Sequence, residues 1–188
     1  MKIMVFILAF PISSQAYASV GEVTALNGSA AVERSNKIIN AHIGLPIEQQ
    51  DTVVTHDKTQ LQMIFNDSTV ITLGKNTVFR VAQFSFNQTS NQNVEFSLTE
   101  GSMKSVTGKI GKKSPPNFKV KTPYGTIGVK GTTFKLTINA DFTQLTTLKG
   151  ATYYFDNKTK KTYDVPKNYS LSFNHKTGQI NIIALKNN

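Results

Sequence analysis

The chain contains no cysteine. No disulfide can staple its fold, and thiol catalysis and thiolate metal sites are excluded. Acids are scarce: 11 Asp and Glu stand against 21 Lys and Arg, a formal net charge of +10 over 188 residues. None of those acids falls between Glu100 and Asp141, so the middle of the chain has no carboxylate pair for general acid–base work. His42, His56 and His175 stand at no metal-ligand spacing, and no G-x-S-x-G element is present. His56 with Asp51, Asp57 and Asp67 is the one set that long-range folding could gather into a site; solvated residues around turns is the plainer reading. Enzyme chemistry, a cofactor and a bound metal are therefore not expected. Past the N-terminus no apolar run approaches the roughly 20 residues that cross a bilayer. Helical periodicity is almost missing.

What is present is alternation. Leu61, Met63 and Phe65 alternate with polar or smaller neighbours, as do Val94, Phe96 and Leu98, and Phe134, Leu136 and Ile138. Each set places its apolar side chains on one face of a strand. Turn signals separate such runs: Asn27-Gly28, which suits a hairpin, Asn66-Asp67-Ser68, Leu73-Gly74-Lys75-Asn76, Glu100-Gly101, Lys149-Gly150 and Thr177-Gly178. Further runs follow at 144–148, 151–155, 169–173 and 180–184. The pattern predicts an all-β single domain of many short, mostly antiparallel strands, folded as a sandwich or rolled double sheet. Residues 87–93 and 107–116 read as loops, the second exposed and mobile.

The N-terminus follows the order of a secretory signal peptide. Lys2 precedes the apolar run from Ile3 to Phe10, and Ala16-Tyr17-Ala18 supplies the cleavage motif, with Ser19 as the expected mature start. The expected division is a signal peptide at 1–18, a β domain at 19–150 and a C-terminal β extension at 151–188 packed on the same domain. Export points to the periplasm, with surface association or release outside the cell still open. It removes nucleic acid from the partners that a basic surface attracts.

The run Phe118-Lys119-Val120-Lys121-Thr122-Pro123-Tyr124-Gly125-Thr126-Ile127-Gly128-Val129-Lys130-Gly131-Thr132-Thr133-Phe134 fits the pattern F-x-V-x-T-P-x-G-x-x-x-V-R-G-T-x-F, with Lys130 in place of the commoner arginine. Upstream lie Val20-Gly21-Glu22-Val23 with Leu26-Asn27-Gly28-Ser29-Ala30, Asp51-Thr52-Val53-Val54-Thr55 with Gln50 in place of the usual glycine, Leu61 to Gly74, and Leu98-Thr99-Glu100-Gly101. This ordered set resembles the FecR family of bacterial envelope proteins. The resemblance implies a β fold and an envelope sensing or binding role. Its best-known members span the inner membrane, control a sigma factor through a cytoplasmic arm and read an outer-membrane siderophore receptor. Here a signal peptide stands where that arm would be, which implies an exported module without its own route into the cytoplasm. In the signature, Pro123 fixes its own φ and biases Thr122 toward extended geometry. Thr122, Pro123, Gly125, Gly128, Gly131, Thr132 and Phe134 read as a structural corner rather than a phosphate cradle, since no helix start follows.

The acid-free window carries Lys104, Lys109, Lys112, Lys113, Lys119, Lys121, Lys130 and Lys135. Two readings fit them: a basic stripe that steers an anionic partner, or a solubilising surface. Tyr153-Tyr154-Phe155 with Tyr163 and Tyr169 fits core packing or a sugar platform. The expected function is a non-catalytic binding or regulatory module for an envelope protein. The alternatives are a binder of anionic glycan or lipid and a structural subunit of a surface assembly.

Overall fold

Period-two alternation yields strands almost everywhere in the computed structural model, which describes residues 18–86, 92–113 and 117–186. Residues 1–17, which include most of the expected signal peptide and Ala16, and most of the 87–93 segment lie outside the described residues. So do the side chains of Lys112 and Lys113. No helix among the described residues is long and apolar enough to cross a membrane.

Fifteen strands join in one hydrogen-bonded sheet that folds over itself into two leaves. Leaf 1 begins with β2 (Ala30–Arg34), β3 (Lys37–Asn40), β5 (Thr52–Thr55) and β8 (Thr77–Ser85). It continues through β9 (Asn93–Val106), β10 (Phe118–Lys121), β11 (Gly125–Ile138), β12 (Phe142–Asp156) and β13 (Thr162–Pro166). Its order is β3-β2-β5-β8-β9-β10-β11-β12-β13. Leaf 2 adds β1 (Ser19–Asn27), β4 (Pro46–Glu48), β6 (Gln60–Phe65), β7 (Val70–Leu73), β14 (Tyr169–Asn174) and β15 (Ile180–Ala184). Its order is β4-β1-β6-β7-β9-β11-β12-β14-β15. All pairings are antiparallel except the parallel contact of β9 with β10. This is the rolled double sheet that the sequence predicts, left open rather than closed into a barrel.

The long strands β9, β11 and β12 belong to both leaves. The first half of β9 pairs with β8 and β10, and its second half with β7 and β11. The early part of β12 pairs with β14 and its later part with β13. Each strand bends at a glycine with positive φ: Gly101 at 91°, Gly131 at 58° and Gly150 at 77°. Glycine takes that conformation without steric cost, so the ladder turns the corner without ending. The turns expected at Glu100-Gly101 and Lys149-Gly150 are therefore bends inside continuous strands.

Two further expectations are corrected. Asn27-Gly28 does not close a hairpin: β1 pairs with β4 and β6 while β2 pairs with β3 and β5, so Gly28 carries the chain from leaf 2 to leaf 1. Residues 107–113 are not an exposed loop either, and the rest of that expected loop, 114–116, lies outside the described residues. Thr107 and Ile110 are buried, and a one-turn helix, α1 (Lys109–Lys113), packs there. The carboxylate of buried Asp67 accepts from Thr69 N–H at 2.9 Å and Ile110 N–H at 3.3 Å, and Thr69 Oγ1 accepts from Gly108 N–H at 2.9 Å, which docks the helix on the β6–β7 turn.

The core lies between the leaves. Phe65 of leaf 2 stacks on Phe84 and Phe96 of leaf 1 at 5.3 and 4.9 Å between ring centroids, and Phe96 meets Phe118 at 5.5 Å. Tyr154 of leaf 1 meets Phe173 of leaf 2 at 5.9 Å. Burial of these rings, each removing an apolar area worth roughly 2–3 kcal/mol, welds the leaves without a disulfide.

Candidate functional site

The alternation that buries Phe118 and Val120 turns Lys119 and Lys121 outward from β10. Parallel pairing sets Lys119 beside Glu95 of β9, and antiparallel pairing sets it beside Gly128 of β11. The row continues through Tyr153 of β12 to Asp164 of β13. A second row runs Ser97, Lys121, Thr126, Phe155, Thr162 across the same strands. Together they line an open groove of about 610 Å³ on the outer face of leaf 1. Its floor is the half-buried pair Tyr153 and Phe155.

Gly128 makes that floor possible. A Cβ there would strike the Tyr153 ring, which lies flat across the glycine. The groove is balanced in charge: Lys121 Nζ sits 2.8 Å from Glu95 Oε1, and Lys119 lies in the first row between Glu95 and Asp164, the acids at its two ends. No histidine lines it. An aromatic floor with paired charges and two threonine hydroxyls can hold an extended chain by stacking and hydrogen bonds.

Among the described residues the fold brings the expected lysines together as two separate pairs, Lys119 with Lys121 on leaf 1 and Lys104 with Lys135 on leaf 2. Lys104 is exposed on leaf 2, opposite Lys135. Lys109 lies on α1 with its Nζ 5.9 Å from the centre of the Phe86 ring. Lys130 is exposed just before the Gly131 bend. The acid-free window thus does not form one stripe, because successive strands of the window face opposite sides of the double sheet. The aromatic cluster divides in the same way. Tyr153 and Phe155 face the groove, whereas Tyr154 is fully buried, its hydroxyl without a hydrogen-bond partner, and burial first, then nearby Asp156 and Tyr163, pushes that phenol above its ordinary value.

The signature residues hold the corner. Thr122 Oγ1 accepts from Gly125 N–H at 2.9 Å and donates to Gly125 O at 2.8 Å, closing the Thr122-Pro123-Tyr124-Gly125 link between β10 and β11. Gly125 leaves room for the Tyr154 ring. Thr132 N–H donates to Thr107 Oγ1 at 2.8 Å while its hydroxyl donates to Ala151 O at 2.9 Å, so one residue of β11 ties β12 and the segment that follows β9; Phe134 is fully buried in the core. Tyr124 stacks on His175 of leaf 2 at 3.5 Å between ring centroids. Burial pushes the His175 imidazole below its ordinary value, opposed by its contact with Ala140 O and by Asp141. Asp51 and Asp67 each sit buried in their own networks and His56 is exposed, so these three do not assemble. Asp51 takes a bidentate grip from Arg34 at 2.8 and 2.7 Å.

Sequence reasoning did not single out Glu95, Thr126, Thr162 or Asp164. The only local signal was their outward phase beside buried neighbours; what joins them is cross-strand register.

A family model described as FecR protein matches residues 51–152. No curated protein matches the chain. Two solved structures of a candidate anti-sigma factor from Parabacteroides distasonis have the same fold. One is 16% identical with a TM-score of 0.60, over 72% of this chain and 60% of that one. The other is 19% identical with a TM-score of 0.59, over 71% of this chain and 58% of that one. The chain therefore spans less than two thirds of those proteins' length.

Proposed function

The chain belongs to the FecR family, and from that premise we propose that it is an exported, non-catalytic regulatory module that holds an extended segment of an envelope protein in the leaf 1 groove. The observation that carries this reading is the pair of ladder rows across β9 to β13. Aromatic floor, balanced charges and hydroxyls suit a polypeptide of mixed character better than a simple anion. The groove also ends at β13, a free edge of leaf 1. There a partner strand gains main-chain hydrogen bonds while its alternate side chains reach the floor. Pro166 at the end of β13 fits an edge position. Export rests on the Lys2, Ile3–Phe10 and Ala16-Tyr17-Ala18 pattern. The anti-sigma description of the structural neighbours agrees with regulation through protein contact.

Photo-crosslinking from position 162, with position 137 on leaf 2 as control, tests the proposal in intact envelopes. A discrete protein adduct is expected from 162 and not from 137. Equal adducts from both positions, or none from 162, would sink it.

A further inference from the structure

Leaf 2 presents a different outer face. Its central row runs Gln62, Thr72, Lys104, Lys135, Thr146, Ser170, each opposite the next on neighbouring strands. Two ammonium-bearing side chains therefore face each other directly at the centre of the sheet, both exposed. Like charges in that relation destabilise a sheet. Among the described residues neither lysine has a carboxylate partner, whereas Lys121 of leaf 1 does. Two adjoining depressions of about 360 and 340 Å³ meet at Gln60, Thr72 and Lys104, and no acid lines either.

We infer that this face is a binding site for an anionic polysaccharide. Facing cross-strand positions stand about 5 Å apart, close enough for both ammonium groups to share one carboxylate, sulfate or phosphate. Of the flanking residues, Gln62, Thr72 and Thr146 are half-buried and repeat at the inter-strand spacing of roughly 4.8 Å, while buried Ser170 backs Thr146; the three offer a polymer of sugars donors and acceptors on either side of its charge. A bound anion relieves the repulsion between Lys104 and Lys135, so occupancy stabilises the fold. The site is separate from the groove of leaf 1 and stands or falls independently of it.

The test uses the full chain from Ser19 and titrates polygalacturonate as the charged polymer and dextran as the neutral one. Polygalacturonate is expected to bind with an affinity that weakens as salt rises, and dextran not to bind. The double substitution Lys104→Gln with Lys135→Gln is expected to weaken binding about tenfold. The matching pair on leaf 1, Lys119→Gln with Lys121→Gln, should leave binding within about twofold. Lys135→Glu, which gives Lys104 a partner, should raise the melting temperature of the free protein and abolish binding. Absence of polygalacturonate binding, or equal losses from the two double variants, would overturn the assignment. So would binding to phosphatidylglycerol vesicles without binding to the polymer, which would make the site one for lipid.

Discussion

Leaf 1 and leaf 2 are built from the same three long strands, yet they present opposite electrostatic company to solvent. On leaf 1 Lys121 lies 2.8 Å from Glu95, and Lys119 shares its row with Glu95 and Asp164. On leaf 2 Lys104 faces Lys135 with no acid in the surrounding depressions. A count of lysines along the sequence does not separate these surfaces. The register does, because it decides which charge sits across the ladder. One face therefore suits a chain of mixed character and the other an anion.

The comparison depends on the leaves being one continuous sheet, and the largest effect expected is at a bend. Gly101 has a φ of 91°, and a Cβ there would lie 2.6 Å from the Asn76 carbonyl oxygen. Gly101→Ala should cost about 2–4 kcal/mol, read by urea unfolding, and should lower the transition of both leaves together. Separate transitions, reported by fluorophores on β13 and β15, would show that the leaves are independent and break the comparison.

A smaller effect is expected where the leaves meet through Tyr124 and His175. The imidazole stacks on Tyr124, contacts Thr143 Oγ1 at 2.9 Å and lies near Asp141, itself paired with Lys176. Its folded value lies below its ordinary 6.5. The folded state thus holds fewer protons than the unfolded one below that pH, so this stability is intact above 6.5 and declines as acid takes the pH toward the folded value. The melting temperature should fall between about pH 7 and pH 5, and His175→Gln should flatten that slope. An unchanged slope would remove His175 from the seam between the leaves.

The smallest expected effects bear most directly on the two faces, because they differ in sign. Lys121→Gln removes an exposed pair and should lower stability by at most about 0.5 kcal/mol. Lys135→Gln removes a like-charge opposition and should raise it by about 0.3 kcal/mol. Thermal melts of both variants at low salt check this; the same sign for both would erase the electrostatic distinction.

Much of the fold was legible in the sequence because most strands bury one face. The alternation at Leu61, Met63 and Phe65 becomes β6 in phase, and that at Phe134, Leu136 and Ile138 becomes the later half of β11. The runs at 169–173 and 180–184 become β14 and β15. Less legible was continuity. A glycine with positive φ serves a turn and a bend equally well, so Gly101 and Gly150 looked like the ends of strands that in fact run on. The Asn27-Gly28 link looked like a hairpin because local chemistry does not reveal which leaf the next strand joins. The groove was least legible: Lys119 and Glu95 are brought together by a parallel pairing, and no local pattern announces it.

The corner strands also have a mechanical consequence. A partner that pulls on the β13 edge loads β12 across its hydrogen bonds, but β12 does not stop at the corner; it passes through Gly150 and is held on the other side by β14. Packed interiors transmit strain rather than absorb it. A tug at one edge is therefore carried around the fold as tension along a single covalent strand, with Gly150 as its pivot.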